Sequence, residues 1–191
     1  MLIETDRLFI REYREDDFND LYEIMSDPET MIHYPKPFDI DRTKHWIKWN
    51  LDNYKKDGFG LWALILKEKE EFIGDCGVTI QNIDGLLVPE IGYHINKKYW
   101  RHGYAKEAAL AVRDWIFQNS CYNVIYSYMK YTNIGSYSTA EAIGMKKVKE
   151  YFDPQNTISY VYAITRCKCQ YKNVGKVENN NVGFSTYSSV A

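Results

Sequence analysis

The residues with the clearest chemical potential lie between Glu90 and Ala109, in the segment EIGYHINKKYWRHGYAKEAA. Its first six residues alternate apolar side chains with polar or small ones, which is typical of a β-strand. From Gly103 onward, apolar residues recur every three to four positions, which predicts a helix. Unpaired backbone N–H groups and the positive end of a helix dipole therefore meet at the turn, and both favour a bound phosphate. A side chain at Gly103 would keep such a phosphate away from the backbone.

Two common phosphate-binding motifs are absent from the sequence: it has no G-x-x-x-x-G-K-S/T, and no G-x-G-x-x-G after a strand. The window from Trp100 to Ala105 instead resembles the acetyl-CoA pyrophosphate loop of the GNAT superfamily of N-acetyltransferases, Q/R-x-x-G-x-G/A. Gly103 and Ala105 match its last two anchor positions, whereas Trp100 replaces Gln or Arg, and Arg101 stands where many members carry glycine. The string GYAKEA also resembles the GYATEA signature of the RimJ/RimL-like branch.

Further segments resemble elements of this branch and follow the family's order: ETDRL at 4–8, IGDCG at 73–77, EIGY at 90–93, and NIGS at 133–136 followed by AIGM at 142–145. The resemblance covers roughly residues 2–166. It implies an α/β GNAT fold, with a single mixed six- or seven-stranded sheet flanked by helices on both faces. We therefore expect a GNAT domain over residues 1–166 and a polar C-terminal extension over 167–191.

The reaction that the resemblance implies moves an acetyl group from acetyl-CoA to a primary amine. An alkylammonium with a pKa of about 10 has no lone pair at pH 7, so a base must take its proton. The thioester oxygen needs a hydrogen-bond donor while it gains negative charge, and the thiolate leaving group benefits from a proton donor. Direct attack in a ternary complex needs no covalent enzyme intermediate, so the lack of a convincing nucleophile set is no objection.

The resemblance also assigns residues to the cofactor. Backbone amides of the loop would hold the pyrophosphate, and they belong to Arg101, His102, Gly103, Tyr104, Ala105 and Lys106. The strand ending at Ile95 would pair with the pantetheine arm, and an N–H near His94 or Ile95 would stabilise the oxyanion. Asn133 and Ser136 would contact the pantetheine and the thioester. Ser136 is the first candidate for the general acid, and Tyr137 is the second.

Two residues are candidates for the base, and three more for the acceptor pocket. Glu90 is the first choice as base, directly or through water, if partial burial raises the pKa of its carboxyl; the alternative is an exposed glutamate at a strand end. His94 is the second choice because imidazole has the more suitable intrinsic pKa. The matching segment of the family forms the wall of the substrate pocket, which suggests three residues that line the acceptor pocket here. Ordinary core packing is an equal alternative for each of the three. These residues are His33, Tyr34 and Trp62.

Hydrophobic periodicity and turn residues predict the elements that must position these groups. Strands are expected over 2–13, 59–67, 71–80, 86–95, 123–131, 145–152 and 157–165. Helices are expected around 18–25 and over 42–54, 103–119 and 133–143. Asp84-Gly85 predicts a hairpin turn, and Gly144 a helix C-terminus.

Composition limits the functional classes. A chain of 191 residues with 45% hydrophobic content can form one domain with a real core. A net charge of −2 with dispersed Lys and Arg gives no electrostatic case for nucleic acid. No apolar run approaches the ~20 residues that span a bilayer, and no signal peptide is recognised, so we expect a cytoplasmic protein. The cysteines fit neither a disulfide nor a zinc pattern, so no metal is expected; they are Cys76, Cys121, Cys167 and Cys169.

The sequence leaves the acceptor amine and the oligomeric state open. The resemblance implies a protein N-terminus or a small-molecule amine, and either a monomer or a homodimer is compatible with it. The alternative from another functional class is a GNAT-fold module that binds acyl-CoA as a sensor or partner-binding protein without turnover. Bulky residues in the loop, Trp100 and Arg101, keep this alternative open.

Overall fold

A computed structural model describes residues 2–153 and 157–166 of the chain. The predicted extension at 167–191, which includes Cys167 and Cys169, lies outside these residues. The strands are β1 Leu2–Glu4, β2 Leu8–Arg11, β3 Leu61–Leu66, β4 Glu71–Ile83, β5 Leu86–Ile95, β6 Val124–Lys130, β7 Lys146–Phe152 and β8 Ile158–Thr165. The α-helices are α1 Phe18–Ser26, α2 Ile40–Asp57, α3 Tyr104–Asn119 and α4 Ile134–Ala142. Short 3₁₀ turns cover Glu15–Asp17 and Lys97–Tyr99.

The strands form one mixed sheet in the order β1-β2-β3-β4-β5-β6-β8-β7, eight strands in the described residues. The expected α/β fold is confirmed, but the strand count is one higher than the upper expectation, because the predicted single strand over 2–13 is wrong. The chain turns after Glu4, where the Leu8 N–H donates to Thr5 Oγ1 at 2.9 Å and the Thr5 N–H donates to Leu8 O at 3.0 Å. β1 therefore folds back as an antiparallel partner of β2.

Helices cover both faces of the sheet, and alternation along β3 shows how. Trp62 and Leu64 belong to a core that includes α3, whereas Leu61 and Ala63 belong to a second core that includes α1 and α2. Successive residues of a strand point to opposite faces, so a six-residue apolar strand serves both cores. These two sides are called the α3 face and the α2 face below.

The β4–β5 hairpin is the longest pairing and carries the site. Asp84 and Gly85 have φ values of 50° and 85°, the double left-handed conformation of a type I′ turn, as the sequence predicts. Two glycines of the IGDCG segment are required by close packing. A Cβ on Gly74 would lie 2.0 Å from the His94 carbonyl oxygen, and one on Gly77 would lie 2.0 Å from that of Gly60.

The sheet opens between β5 and β6. These two strands run parallel and share a single register pair, Glu90 with Tyr126, whereas β4 and β5 share ten pairs. Beyond Glu90, β5 continues to Ile95 with no further strand partner on that edge in the described part of the chain, although the Ile95 carbonyl accepts from Trp100 Nε1 at 2.7 Å. A V-shaped gap therefore lies between the ends of β5 and β6.

Candidate active site

β5 separates two chemically different sides of the gap. Ile91 and Ile95 are buried in the core on the α3 face, and Tyr93 packs against that core. Glu90, Gly92 and His94 alternate with them, so they face α1 and α2. Gly92 leaves space for the Glu90 side chain on the same face, because a Cβ at Gly92 would lie 3.2 Å from Glu90 Oε2.

On the α3 face, the loop after β5 adopts the predicted strand-to-helix junction. Gly103 is the N-cap of α3 with φ of 81°, and Arg101 is also left-handed, with φ of 67°. Glu107 is the first residue of α3 whose N–H reaches a helical acceptor, the Gly103 carbonyl at 3.0 Å. The amides of Tyr104, Ala105 and Lys106 precede it and have no intrahelical acceptor, as at any helix start. They supply the free N–H groups that an anion needs.

Several side chains in and around the loop form contacts within the protein. His102 donates from Nδ1 to the Trp100 carbonyl at 2.8 Å and stacks on Tyr104. The Tyr104 ring is buried, so its contribution to a ligand would come from its backbone amide. Lys98 is paired with Glu23 at 2.6 Å, whereas the side chains of Arg101 and Lys106 are exposed.

A residue that sequence reasoning did not assign holds this loop in place. The Arg7 guanidinium donates from Nε to Glu107 Oε2 at 2.7 Å and from Nη1 to the His102 carbonyl at 2.9 Å. It also lies over the Tyr104 ring, 4.4 Å from its centroid. Thr5 donates its hydroxyl to the other oxygen of Glu107 at 2.6 Å. The ETDRL segment therefore fastens the β1–β2 turn to the start of α3, a contact across about 100 residues that periodicity does not reveal.

The predicted thioester residues lie on the α3 face and are linked to β5. Asn133 caps α4, since its Oδ1 accepts from the Ser136 N–H at 3.1 Å. The Tyr93 hydroxyl donates to the Ser136 carbonyl at 2.7 Å and lies 3.4 Å from Ser136 Oγ. Tyr137 packs beside the same core, next to Tyr160. Tyr93 was not among the predicted residues, although its place between Ile91 and Ile95 in the alternation puts it on this face.

On the α2 face, Glu90 lies at the apex of the gap with only 9% of its surface exposed. Its carboxylate accepts hydrogen bonds from the Tyr128 N–H and the Ser127 hydroxyl, both on β6. Burial outweighs these bonds and raises the pKa of Glu90 to about 8. The carboxyl group therefore bridges the two strands where their backbone pairing stops, and it is not an exposed strand-end glutamate.

His94 is held by a carboxylate that the sequence analysis missed. Asp75, fully buried on β4, accepts from His94 Nδ1 at 2.7 Å and from the His94 N–H at 3.0 Å. The His94 N–H is therefore occupied, which leaves that of Ile95 as the oxyanion candidate. The Asn96 N–H donates to Ile73 on β4. Neighbouring residues of a strand direct their backbone groups to opposite edges, so the Ile95 N–H faces the gap.

Two of the three predicted acceptor residues lie on this side, and one does not. The Tyr34 hydroxyl is 2.6 Å from His94 Nε2. His33 is close enough to Lys130, at the end of β6, for that charge to add to burial in lowering its pKa. The assignment of Trp62 is wrong: it is buried on the α3 face, edge-on to Trp115 at 5.1 Å, because its position in β3 directs it there.

An aromatic cleft adjoins His94 on the α2 face. It has a volume of about 310 Å³ and is lined by Arg42, His45, Trp46, Trp49 and Gln81. Trp46 links the cleft to the site, since its ring lies edge-on to His94 at 5.9 Å. Gln81 donates to Thr79, which is opposite Glu90 in the β4–β5 register. Neither candidate base lines the cleft, but His94 adjoins it through Trp46 and Glu90 through Thr79.

Within residues 2–153 and 157–166, no group of three or more His, Cys, Asp or Glu side chains is placed to hold a metal ion. No helix there combines the length and the apolar character needed to cross a membrane.

Comparison with known proteins identifies the family. Residues 7–146 match the acetyltransferase (GNAT) domain. The uncharacterized protein YkkB of Bacillus subtilis (strain 168) is 35% identical over 142 residues, 74% of this chain and 83% of YkkB. The uncharacterized N-acetyltransferase YnaD of the same organism is 31% identical over 148 residues, 77% of this chain and 84% of YnaD.

Solved structures share the architecture. A GNAT-family acetyltransferase from Bacillus anthracis has a TM-score of 0.74 at 27% identity, with 86% of this chain and 98% of that one covered. RimL, a ribosomal L7/L12 alpha-N-protein acetyltransferase solved with coenzyme A, has a TM-score of 0.73 at 12% identity, over 86% and 98% of the two chains. That second likeness concerns the fold alone. From the domain match and the two bacterial relatives, the chain belongs to the GNAT acetyltransferase family.

Proposed function

We propose that the protein is a RimJ/RimL-like N-acetyltransferase that moves an acetyl group from acetyl-CoA to a primary amine by direct attack. The observation that carries this proposal is the gap between β5 and β6, which has one register pair at its apex. An anion-binding loop and a hydroxyl-bearing helix start lie on its α3 face. Two candidate bases and an aromatic cleft lie on its α2 face. A thioester placed in the gap would be accessible to an amine from the α2 face.

The residues present fit acetyl-CoA. The free amides from Arg101 to Lys106 and the Arg101 charge would hold the pyrophosphate. The open edge of β5, the strand that ends at Ile95, would pair with the pantetheine arm, and Asn133 and Ser136 would flank the thioester. At Ile95 itself the carbonyl already accepts from Trp100 Nε1 at 2.7 Å, and the N–H is kept for the thioester oxygen. The related RimL fold was solved with coenzyme A, which supports the assignment of the donor.

The bond changes follow from this placement. The amine nitrogen forms a bond to the acetyl carbon, and the C–S bond then breaks. The Ile95 N–H is positioned to donate to the oxygen as it gains charge. Ser136 would give its proton to the departing sulfur, with Tyr137 as the second candidate. The proton lost by the amine would go to Glu90 or His94.

The cleft favours a compact acceptor. Its volume, about 310 Å³, is at the lower end for small-molecule sites. Two tryptophans would cover an apolar or aromatic body, and Arg42 would attract an anionic group. Arg42 stacks on Phe38 at 3.8 Å and forms no ion pair with the residues that the structure describes. A small amine with an apolar body, such as an amino acid or a dipeptide, therefore suits the cleft better than a polyamine.

The test is thiol release from acetyl-CoA with a panel of amines, followed by mass detection of products. The panel contains apolar amino acids, dipeptides, polyamines and peptides that end in a free α-amine. We expect amine-dependent release and a product heavier by one acetyl group, greatest with the first two classes. Tight acetyl-CoA binding without amine-dependent release from any class would support the acyl-CoA sensor instead.

A further inference from the structure

A chain of hydrogen bonds runs from the surface of the α2 face into the sheet. The Tyr34 hydroxyl is 2.6 Å from His94 Nε2, and His94 Nδ1 is 2.7 Å from Asp75 Oδ1. Asp75 is fully buried, His94 is 9% exposed and Tyr34 is 38% exposed. The three residues come from the turn before α2, from β5 and from β4. Of the three residues, Tyr34 lies nearest the surface.

The surroundings of Asp75 fix the direction of the chain. Its Oδ2 accepts from the Tyr13 hydroxyl at 2.6 Å, and its Oδ1 accepts from the His94 backbone N–H at 3.0 Å. Trp46 Nε1 is a third donor, 3.5 Å from Oδ2. A carboxylate surrounded by donors accepts, so His94 Nδ1 carries the proton and Nε2 is left as an acceptor. Tyr34 must then donate to Nε2, and its oxygen lone pairs remain for another donor.

The Tyr34 hydroxyl lies near the gap between β5 and β6. It is within electrostatic range of both strands that form the gap, through Glu90 on β5 and Tyr128 on β6. Its ring packs edge-on against Phe38, at 6.3 Å between centroids. The charged and titratable groups that face the relay from the surrounding elements are Asp75, Glu90, Tyr13, Tyr128 and Arg42.

We propose that Tyr34, His94 and Asp75 form a proton relay that deprotonates the acceptor amine, with Tyr34 as the residue that touches it. This rests on the proposed function. The ammonium N–H transfers its proton to Tyr34 Oη while the phenolic proton moves to His94 Nε2. The products are a neutral amine, a neutral tyrosine and an imidazolium stabilised by Asp75. After turnover, the proton returns to solvent by the reverse path.

Glu90 is less suited to this step at neutral pH. Its carboxyl already interacts with Ser127 and Tyr128 on β6. With a pKa of about 8, it is mostly protonated at pH 7 and cannot accept the amine proton in that form. In the relay, His94 Nε2 accepts from the Tyr34 hydroxyl and is placed to take its proton.

The kinetic test compares Tyr34→Phe with Tyr22→Phe, a control on α1 whose ring stacks on Phe18 away from the relay. For the amine acceptor, we expect Tyr34→Phe to lower kcat/KM about 100-fold, the usual contribution of a positioned base. Acetyl-CoA affinity should stay unchanged, because the ring and its packing are kept. The control should keep wild-type turnover. Wild-type kcat/KM in Tyr34→Phe would overturn the relay.

A second measurement does not depend on turnover. Ring-nitrogen NMR of the wild-type protein, with the His94 signals assigned by their loss in His94→Gln, reports which nitrogen of His94 carries the proton. The relay predicts the Nδ1–H form near pH 7.5, with an Nε2 shift that changes in Tyr34→Phe and not in Tyr22→Phe. An Nε2–H form would overturn it. If wild-type protein acetylates no amine, the proposed function fails and the relay with it; if it acetylates an amine but His94 is in the Nε2–H form, the relay alone fails.

Discussion

At the scale of single residues, the loop after β5 depends on two left-handed backbone positions. One is filled by Gly103, which adopts φ of 81° at no steric cost. The other is filled by Arg101, for which φ of 67° costs about 1–2 kcal/mol. A chain that tolerates this cost at Arg101 gains a cation beside the free amides of α3, where a pyrophosphate would be bound.

Gly103→Val can distinguish a loss of ligand binding from a loss of stability, because the chain contains a second glycine, Gly58, with a matching backbone conformation. Gly58 has φ of 79° and Gly103 has φ of 81°. A Cβ would meet nothing within 4 Å at Gly58, and only the Arg7 guanidinium at 3.6 Å at Gly103. We expect both valine variants to lose similar stability, about 1–2 kcal/mol from the left-handed backbone. Only Gly103→Val should weaken acetyl-CoA binding, by more than about tenfold in calorimetry. Equal affinities in the two variants would contradict the loop assignment.

The buried carboxyl of Glu90 should make the stability of the folded protein depend on pH. Burial raises its pKa to about 8 in the folded state, so folding favours its protonated form. Stability should therefore fall as pH rises from about 4.5 through 8, and the penalty should be complete above the folded pKa. Glu90→Gln removes the ionisation, so its Tm relative to wild type should rise between pH 5 and pH 9. A constant Tm difference across that range would contradict a buried titrating carboxyl.

At the scale of elements, hydrophobic periodicity located most strands and helices but did not show which elements pack against one another. The strand over 86–95 and the Asp84-Gly85 turn are observed as predicted, and α3 begins one residue later than expected. Periodicity shows which residues share a face of a strand, but not which helix covers that face. For that reason Trp62 was assigned to the wrong side. Asp75 was missed because a buried carboxylate makes sense only beside its partner on β5.

The Arg7 contacts predict that the β1–β2 turn stabilises the acetyl-CoA loop at the start of α3. Arg7→Met removes the bonds to Glu107 and His102 while keeping an apolar stem over Tyr104. We expect the acetyl-CoA Kd to rise about tenfold, roughly 1.4 kcal/mol, with a small loss of stability because Arg7 is half-exposed. Lys48→Met is the control, since it breaks an exposed Lys48–Asp52 pair on α2 with a 3.0 Å contact. An unchanged Kd in Arg7→Met would show that the loop holds its shape without this residue.

At the scale of the whole molecule, the sheet consists of two blocks. β1 to β5 pair antiparallel, as do β6, β8 and β7, and one parallel register pair joins the blocks. Tyr93 and Glu90 add side-chain bonds across the gap, to Ser136 and to Ser127 respectively. A cofactor bound in the gap would supply the backbone pairing that β6 does not give to the end of β5.

This division predicts an alternating pattern of amide exchange at the end of β5. In the free protein, the His94 and Asn96 amides are bonded to Asp75 and Ile73 and should exchange slowly. The Ile95 amide faces the gap and should exchange faster than both neighbours. Acetyl-CoA should slow Ile95 at least about tenfold, because the thioester at the end of its pantetheine arm accepts from this amide.

A nucleotide without that arm gives the control. 3′-Phosphoadenosine diphosphate should protect the amides of Tyr104 to Lys106 but leave Ile95 fast, because only the pyrophosphate end of the site is filled. Residue-resolved hydrogen exchange by NMR distinguishes the two ligands. Equal protection of Ile95 by both would mean that the nucleotide closes the gap from a distance. Protection by neither would mean that β5 is not the strand that pairs with the cofactor.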